Sequence, residues 1–541
     1  MKKIVIAAII SAALWSCYED KSTYATDTID DVVLTLAEGQ NTIYAGYLEE
    51  LDIVPVLTKG GKPLGDEGFT YRWEMNYMPN GTEFEVIGTE RELHTLLTNA
   101  ISSRNYMLKF TVADEAEGLE YLFTWDVYIQ TAFLDGLVVC DTRDGQTSDL
   151  TLILNNRLTM NYTKDEVIYR DIVETATGAH YPSLLGSLYP NTQGYIYASR
   201  HFLWAIDSDG KLVRFDCQDY SSAGGDDMMV YNDGQKVSSV FSVTSNAAVT
   251  SFRIALTNQG HYAGDGTNAT DFITGPNANL GSSNPKDGVF AFAPYSQDCS
   301  ICWIEESSGA VKVFAPYYSG AVWGYDLEEV EGSAYTAGNL GVQKVLAAGM
   351  TSADNIPAFL VKDADGDYTI YTVAIGVNSY YDEEWDYWWD ETYYRPGNAI
   401  KIPAAVASRI ASATDLDFTN ENSILYITSG NQISAVLFGN GSITDGGVKF
   451  TPDEGETITS VKVYRQGNYY YSYDVFNYVS EYNRPKLDLT SRALIVATQK
   501  GDEGFVYVVP MTQLGTGNLD RGSAMKFGGF GTILDVATTG Y

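Results

Sequence analysis

Cysteine and histidine are scarce in this chain of 541 residues, which contains five of the first and four of the second. A small disulfide scaffold needs many more cysteines, so we expect the fold to depend on a hydrophobic core. A C-x-x-C pair occurs once, without the second pair that a zinc finger requires. We predict that the cysteines of the folded body are buried thiols, namely Cys140, Cys217, Cys299 and Cys302.

Catalytic motifs are also missing from the sequence. The histidines are isolated, and there is no H-E-x-x-H, G-x-S-x-G, P-loop or dinucleotide-binding motif. A glycosidase pair could be formed by any two of the 70 acidic residues, but their abundance makes every particular pair uninformative. The sequence therefore predicts a protein that is not an enzyme and needs no cofactor.

Basic residues are few, with 34 Lys and Arg against 70 Asp and Glu, and the formal net charge is −36. A surface of this charge repels the phosphates of nucleic acids and the headgroups of anionic lipids. We expect no nucleic acid partner, and we expect contact with a membrane only through an anchor.

The apolar run at the N-terminus, residues 4–14, has eleven residues, whereas a membrane span needs about 20. Lys2 and Lys3 precede this run and Cys17 follows it, which is the anatomy of a secretory signal. A cysteine at the cleavage point resembles the lipobox of bacterial lipoproteins. We predict a signal peptide over residues 1–16, a lipid on Cys17 and a tether over 17–29. An ordinary signal peptide with a chance cysteine is the alternative.

Strand-forming sequence is abundant, and 50 glycines and 40 tyrosines fit an all-β chain with many tight turns. Helical periodicity is confined to residues 92–100 and 404–412. Asp-Gly pairs predict hairpin turns at residues 207–211 and 363–367.

Two regions can be separated along the chain. Residues 30–132 hold seven or eight short strands, the size of one Ig-like β-sandwich, and Trp73 alternates with Phe69 and Tyr71 as a core residue would. Residues 133–541 consist of strand pairs separated by polar, Gly-rich segments, which is the weak self-similarity of a β-propeller. The alternative for this second region is a further pair of β-sandwiches.

The number of blades follows from the length of the second region. Seven blades of about 58 residues fall within the usual range, whereas repeats of about 42 residues would give nearly ten blades. The final strand-like segment, residues 532–537, is predicted to pair beside residues 136–141 and close the ring, because closure removes open sheet edges.

The most unusual segment is residues 380–394, in which eight of 15 residues are aromatic and six are acidic. Six carboxylates are not buried without partners, so we expect a solvent-exposed loop that carries its rings into water. Contact with a ligand, contact with a partner protein and a long hairpin whose aromatics pack on the propeller face remain alternatives. The candidate binding residues are Trp385, Tyr387, Trp388, Trp389, Tyr393 and Tyr394.

A second aromatic cluster interrupts a later blade. Tyrosines in such segments give contact area at low entropic cost, so we predict ligand or partner contact here as well. The candidates are Tyr469, Tyr470, Tyr471 and Tyr473.

Asp363, Asp365 and Asp367 have the spacing of oxygen ligands in calcium loops. The glutamate expected near the twelfth position is replaced by Ala374, so the hairpin turn is the preferred interpretation and no metal is predicted.

Several short segments follow one another in chain order as residues 17–24, 30–32, 69–74, 105–112, 118–121 and 133–139. Together they resemble the PKD-like family of Bacteroidota lipoproteins. The resemblance covers roughly the first 150 residues. It implies a PKD/Ig-like sandwich ahead of the β-propeller, and Glu19 and Asp20 are similar to the signal that sends such lipoproteins to the outer face of the outer membrane.

Members of this family often accompany SusC/SusD-type importers, in which a lidded TonB-dependent channel takes up oligomers. The resemblance therefore implies a non-catalytic ligand-capture or accessory subunit of such an importer, with SusC/SusD proteins and an oligosaccharide or peptide as partners. The alternatives are a propeller glycosidase or lyase and a surface adhesin.

Overall fold

The computed structural model describes residues 30–539, apart from residues 36–40, 48, 98, 100–103, 131–132, 134, 160–161, 163, 194–199, 226–233, 235, 245–250, 259, 266–283, 293–300, 317–321, 352–355, 420–421 and 466–486. The chain divides into two compact units, residues 1–132 and 133–541. Both consist almost entirely of strands, so the predicted all-β fold class is confirmed. Among the described residues, no helix combines the length and the apolar character that crossing a membrane requires.

The first unit is a β-sandwich. Its main sheet has the order β2-β10-β9-β6-β7, and the sheets β1-β4-β5 and β3-β8 complete it. The strands are Val32–Thr35 (β1), Thr42–Gly46 (β2), Glu50–Ile53 (β3), Val56–Lys59 (β4), Lys62–Pro63 (β5), Phe69–Asn76 (β6), Phe84–Gly88 (β7), Leu93–Leu96 (β8), Tyr106–Asp114 (β9) and Leu119–Gln130 (β10).

Trp73 is at the centre of this core, as the alternation along β6 predicts. Its side chain is fully buried and stacks on Phe110 with ring centroids 4.0 Å apart. The indole N–H donates to the carbonyl of Glu90 at 3.0 Å, so the one polar atom of the ring is satisfied.

The predicted helix over residues 92–100 is wrong, because this segment contains strand β8, which pairs with β3 in the register Leu93↔Ile53. Leu93 is buried and His94 is exposed. The side chains therefore alternate with a period of two, and pairing across the sheet overrides the weak helical periodicity.

The second unit contains, within its described part, seven antiparallel sheets that follow one another along the chain as the blades of a β-propeller. Two short helices accompany them, Ile172–Thr177 (α1) and Ala404–Ala411 (α2), and the second confirms a sequence prediction. Two 3₁₀ turns lie at Gly439–Gly441 and Arg521–Ser523.

The first four blades are built as follows. Blade 1 contains Leu137–Thr142 (β11), Asp149–Leu154 (β12) and Val167–Tyr169 (β13), completed by the last strand of the chain. Blade 2 contains Leu185–Gln193 (β14), Arg200–Asp207 (β15), Leu212–Asp216 (β16) and Ser222–Gly225 (β17). Blade 3 has the described strands Val237–Thr244 (β18), Ser251–Thr257 (β19) and Gly260–Asp265 (β20). Blade 4 contains Pro285–Phe292 (β21), Ile301–Glu305 (β22), Val311–Pro316 (β23) and Val322–Asp326 (β24).

The remaining blades complete the set. Blade 5 contains Val342–Met350 (β25), Pro357–Asp363 (β26), Tyr368–Asp382 (β27) and Tyr387–Lys401 (β28). Blade 6 contains Asp415–Phe418 (β29), Ile424–Ser429 (β30), Gln432–Leu437 (β31) and Thr444–Phe450 (β32). Blade 7 contains Thr457–Val463 (β33), Ala493–Lys500 (β34), Glu503–Thr512 (β35), Asn518–Leu519 (β36) and Met525–Phe530 (β37), and the last strand is Thr532–Thr538 (β38).

Strand β38 closes the ring as predicted, because it pairs antiparallel with β11 from Leu137↔Thr538 to Thr142↔Thr532. The register shifts between Cys140 and Asp141, where the Asp141 carboxylate accepts the N–H of Gly531 at 2.6 Å. A side chain at Gly531 would collide with the Thr142 carbonyl, so only glycine fits beside this bulge.

Aspartates on the inner strands join neighbouring blades. Asp287 of blade 4 accepts the N–H of Val345 in blade 5 at 2.8 Å, and Asp415 of blade 6 accepts that of Val461 in blade 7 at 2.7 Å. Each carboxylate satisfies a backbone donor that has no strand partner on that side, so these bonds stabilise the contact between blades.

Asp535 does the same at the point of closure. Its Oδ2 accepts the N–H of Leu188 in blade 2 at 2.7 Å, and its Oδ1 forms an ion pair with Lys462 of blade 7. One side chain of blade 1 therefore ties together the blades on both sides of the closing strand.

The cysteines behave as predicted where the structure describes them. Cys140, Cys217 and Cys302 are buried thiols, and burial raises the pKa of Cys140 and Cys217 well above the usual value. Cys299 lies outside the described residues.

Candidate functional site

The aromatic segment is part of a long hairpin, and the expectation of a loop is wrong. Strands β27 and β28 pair without interruption from Val373↔Pro396 to Asp382↔Tyr387, so the ladder extends far beyond the blade. Aromatic side chains favour extended strands and contact each other across a ladder, which explains why this sequence forms a ribbon. We call residues 377–391 the aromatic ribbon.

The tip of the ribbon is fixed by its own carboxylates. Asp382 Oδ1 accepts the N–H groups of Glu384 and Trp385 at 2.9 and 3.2 Å, and the Tyr381 hydroxyl donates to Asp386. Asp386 has a φ of 50°, a left-handed conformation that Asp tolerates better than most residues. Two of the acidic residues in the segment therefore hold the turn in place.

The rings of the ribbon face water on both of its sides. Trp385 is 72% exposed, Trp388 is 61% exposed and Trp389 is 45% exposed. Tyr381 and Trp388 are directly opposite each other on one side, with ring centroids 5.5 Å apart. Tyr387 and Trp389 lie on the other side, with centroids 5.3 Å apart.

The root of the hairpin is packed into the propeller. Tyr394 is only 6% exposed and lies 5.2 Å from the ring of Tyr325. Its carbonyl accepts the N–H of Glu328 at 2.7 Å, and the carboxylate of Glu328 accepts two hydrogen bonds from Arg395 at 2.9 and 3.0 Å. The guanidinium of Arg395 lies 4.2 Å from the centroid of Tyr393.

The predicted candidates therefore separate into two groups. Trp385, Tyr387, Trp388 and Trp389 form the exposed tip, whereas Tyr394 is a core residue and Tyr393 is half-buried beneath Arg395. Two exposed rings of the same ribbon, Tyr380 and Tyr381, are not among the candidates predicted from the sequence. A hairpin centred on residues 383–386 would have placed them opposite Trp389 and Trp388.

The other predicted site residues lie elsewhere in the chain. Cys17 and the cluster Tyr469, Tyr470, Tyr471 and Tyr473 lie outside the described residues. The segment with Asp363, Asp365 and Asp367 forms the predicted hairpin turn between β26 and β27, in which Asp363 Oδ1 accepts the N–H of Asp367 at 2.9 Å. The second predicted turn likewise connects β15 with β16.

Asp149, Asp171 and His180 form the one group in the described part of the chain whose side chains come close enough to share a metal ion. The two oxygens of Asp149 already accept the N–H groups of Leu150, Val173 and Glu174 at 2.7 to 3.0 Å. His180 Nδ1 lies 2.8 Å from the same carboxylate, and this hydrogen bond raises the pKa of His180. The Asp149 carboxylate therefore acts as a cap for the short helix α1, and we assign no metal to it.

The comparisons with known proteins agree with the sequence resemblance at the N-terminus. Residues 17–183 match the model of the PKD-like family, which confirms that part of the resemblance. No curated protein matches the chain.

The chain is similar to several solved structures at low sequence identity. A quinoprotein alcohol dehydrogenase-like protein from Bacteroides thetaiotaomicron is 12% identical, with 93% of this chain and 99% of that chain covered and a TM-score of 0.36. A dihydro-haem d1 dehydrogenase is 10% identical over 75% of both chains, with a TM-score of 0.34. A DUF4784 family protein from Bacteroides caccae is 7% identical, with 92% and 96% covered and a TM-score of 0.26. These scores are too low to support any inference of activity.

Proposed function

We propose that this protein is a cell-surface lipoprotein that captures ligands as a non-catalytic or accessory subunit of a SusC/SusD-type importer. Its imported ligand is an oligosaccharide or a peptide oligomer, and the aromatic ribbon makes the contact. The observation that carries this proposal is the exposure of six clustered rings on one hairpin of defined register.

Large exposed rings are unfavourable for a protein that contacts nothing. A side chain such as Trp388 gains roughly 1.5–3 kcal/mol when its apolar surface leaves water, and the fold itself does not supply this gain. Trp and Tyr also supply contact area at low entropic cost, which is why they dominate binding hot spots. Glu383, Glu384 and Glu391 are exposed beside the rings, and their carboxylates can accept hydrogen bonds from ligand hydroxyls or amides.

The N-terminal region supports a location on the cell surface. The apolar run before Cys17, the acidic pair after it and the family match over residues 17–183 are all features expected of a lipid-anchored surface protein. In this proposal the outer membrane holds the lipid, and the propeller with its ribbon lies on the exterior.

Isolation of the tagged protein from native membranes, together with glycan and peptide arrays probed with the lipid-free chain, tests this proposal. We expect importer proteins to co-purify and one of the two arrays to show binding. Failure of both would refute the capture role. Impaired attachment of a deletion strain with unchanged growth on every oligomer would reassign the protein as an adhesin.

A further inference from the structure

A cavity lies between the inner strands of the propeller blades, around the axis. Its volume is about 520 Å³, within the range of roughly 300–1,000 Å³ that is usual for small-molecule sites. Its lining comes from strands β14, β21, β25, β29, β33 and β38, the inner strands of six blades, with Arg465 just after β33 and Ile495 of β34.

One wall of this cavity carries two cationic side chains. Lys462 forms an ion pair with Asp535 and donates to the carbonyl of Val536 at 3.2 Å, while 40% of its side chain remains exposed to the cavity. Arg465 is 42% exposed, and its Nη2 lies 3.5 Å from Asp417 Oδ1 and 3.1 Å from the carbonyl of Phe418.

Both cations have carboxylate partners. Burial lowers the pKa of Lys462, but Asp535 together with Tyr189 and Asp417 raises it, so the net pKa is above the usual value. Lys462 and Arg465 therefore form ion pairs with Asp535 and Asp417. Asp415, a third carboxyl group of the lining, instead accepts the N–H groups of Leu416 and Val461, and burial raises its pKa.

Another part of the lining is apolar and aromatic. Phe290 and Phe292 are two residues apart on β21, so their rings lie on the same side of the strand and both contribute to the cavity lining. The residue between them, Ala291, is fully buried in the core. Leu416 adds an apolar side chain from blade 6.

This combination favours one class of ligand. A charged ligand would have to compete with Asp417 or Asp535 for cations that are already paired, which costs desolvation energy. Hydroxyl groups can both donate to carboxylates and accept from Lys or Arg, so an uncharged ligand leaves both ion pairs intact. Phenyl rings provide flat apolar surfaces for the C–H groups of such a ligand.

We propose that the axial cavity binds an uncharged, hydroxyl-rich ring of mono- or disaccharide size. Phe290 and Phe292 pack against its C–H face, and Lys462, Arg465 and Asp417 form hydrogen bonds with its hydroxyl groups. This site is distinct from the aromatic ribbon and does not depend on the function proposed for it.

Saturation-transfer NMR and titration calorimetry with the purified chain test the assignment. The probes are neutral sugars, D-glucose, D-galactose, D-mannose, cellobiose and lactose, and two charged analogues, D-glucuronate and D-glucosamine. We expect at least one neutral sugar to bind and its charged analogue to bind about tenfold more weakly or not at all. No binding by any neutral sugar, or stronger binding of the charged analogues, overturns the proposal.

Two variants locate the binding within the cavity. Ser460 lies two residues before Lys462 on β33 and also lines the cavity, so Ser460→Trp should fill it and abolish binding. Arg465→Gln keeps the size of an exposed side chain but removes its charge, and should weaken binding about tenfold even if the first variant folds poorly. Tyr77→Ala, at an exposed tyrosine of the first unit, is the control and should leave this binding unchanged. Sugar binding that survives in the folded cavity variants, or that is lost equally in the control, contradicts the axial site.

Discussion

The two ends of one hairpin, formed by β27 and β28, differ in the burial of their side chains. At the root, Ile370 is fully buried and Tyr394 is 6% exposed, whereas at the tip Trp385 is 72% exposed. Both strands run from one end to the other, and their pairing has one register shift, between Tyr371 and Val373. Aromatic residues at the root therefore stabilise the fold, and the same residue types at the tip are available for contact with other molecules.

The difference arises from what lies beside each half. Root residues pack against side chains of the neighbouring blades, and Ile370 shares a core cluster with Phe418 and Ile427 of blade 6. From Val377 onward the side chains of β27 are mostly exposed, because the ribbon extends beyond the blade. Burial by neighbours, rather than the local sequence, decides which rings are structural.

The largest effect on stability should come from truncating a buried side chain at the root of the hairpin. Ile370→Ala removes a fully buried side chain and should lower the free energy of unfolding by about 2–5 kcal/mol. Chemical denaturation of the purified chain measures this change. The matched tip variant Trp385→Ala should change the free energy of unfolding by less than about 0.5 kcal/mol. Equal losses in the two variants would show that the root and the tip do not differ in their contribution to stability.

A second buried anchor lies at the closure of the ring. Asp535→Asn leaves Lys462 without its carboxylate and weakens the contact with Leu188. We expect the free energy of unfolding to fall by about 2–3 kcal/mol, a value reduced from that of a fully buried pair because Lys462 is partly exposed. The same change at the exposed Asp365 serves as the control in the same denaturation experiment. A loss no greater than that of Asp365→Asn would show that the closure does not depend on this ion pair.

At the tip, the expected effect is on binding alone. Trp388→Ala with Trp389→Ala should leave thermal stability unchanged, because both rings are exposed. Affinity for the captured oligomer or importer should fall by about 2 kcal/mol, roughly 30-fold. Calorimetry with the ligand found on the arrays measures this affinity. The control is Tyr77→Ala, at an exposed tyrosine of the first unit. If the tip and control variants bind equally well, the ribbon is not the contact surface.

The smallest effect concerns acid stability away from the hairpin. Asp453 Oδ2 accepts from Lys526 at 2.8 Å and from Tyr507 at 2.9 Å, and these bonds lower its pKa to about 2. A lowered pKa stabilises the fold above the unfolded value of about 4, and this contribution is lost as the pH falls towards 2.

Thermal melts of Asp453→Asn and of the unmodified chain should therefore differ at pH 5 and converge as the pH approaches 2. A melting difference that stays constant over this interval would mean that Asp453 does not titrate as its contacts indicate.

The sequence predicts the architecture well because strands are recognised from short segments and the number of blades follows from the length of the second region. The seven blades and the pairing of residues 532–537 with 136–141 are predicted in this way. The periodicity after residue 92 predicts a helix, but the segment is a strand because it pairs with β3, which is far away in the sequence. The acidic residues of the ribbon mask its strand pattern and predict a loop, although Asp382 and Asp386 belong to the turn of a hairpin.

The sites were less predictable. The axial cavity brings together residues from Leu188 to Thr538, and no local motif marks them. The aspartates that join the blades are indistinguishable in sequence among 70 acidic residues. The exposed rings could be found from composition, but only the register separates Trp388 from the buried Tyr394.

Hydroxyl-radical footprinting tests most directly whether the aromatic ribbon is a contact surface. Oxidation of Trp385, Trp388 and Trp389 would be compared between the purified chain and the protein in intact cells supplied with the oligomers they import, with the buried Trp73 as internal reference. We expect strong protection of the three tip residues in cells and no change at Trp73. Equal oxidation of the tip in both settings would contradict this expectation.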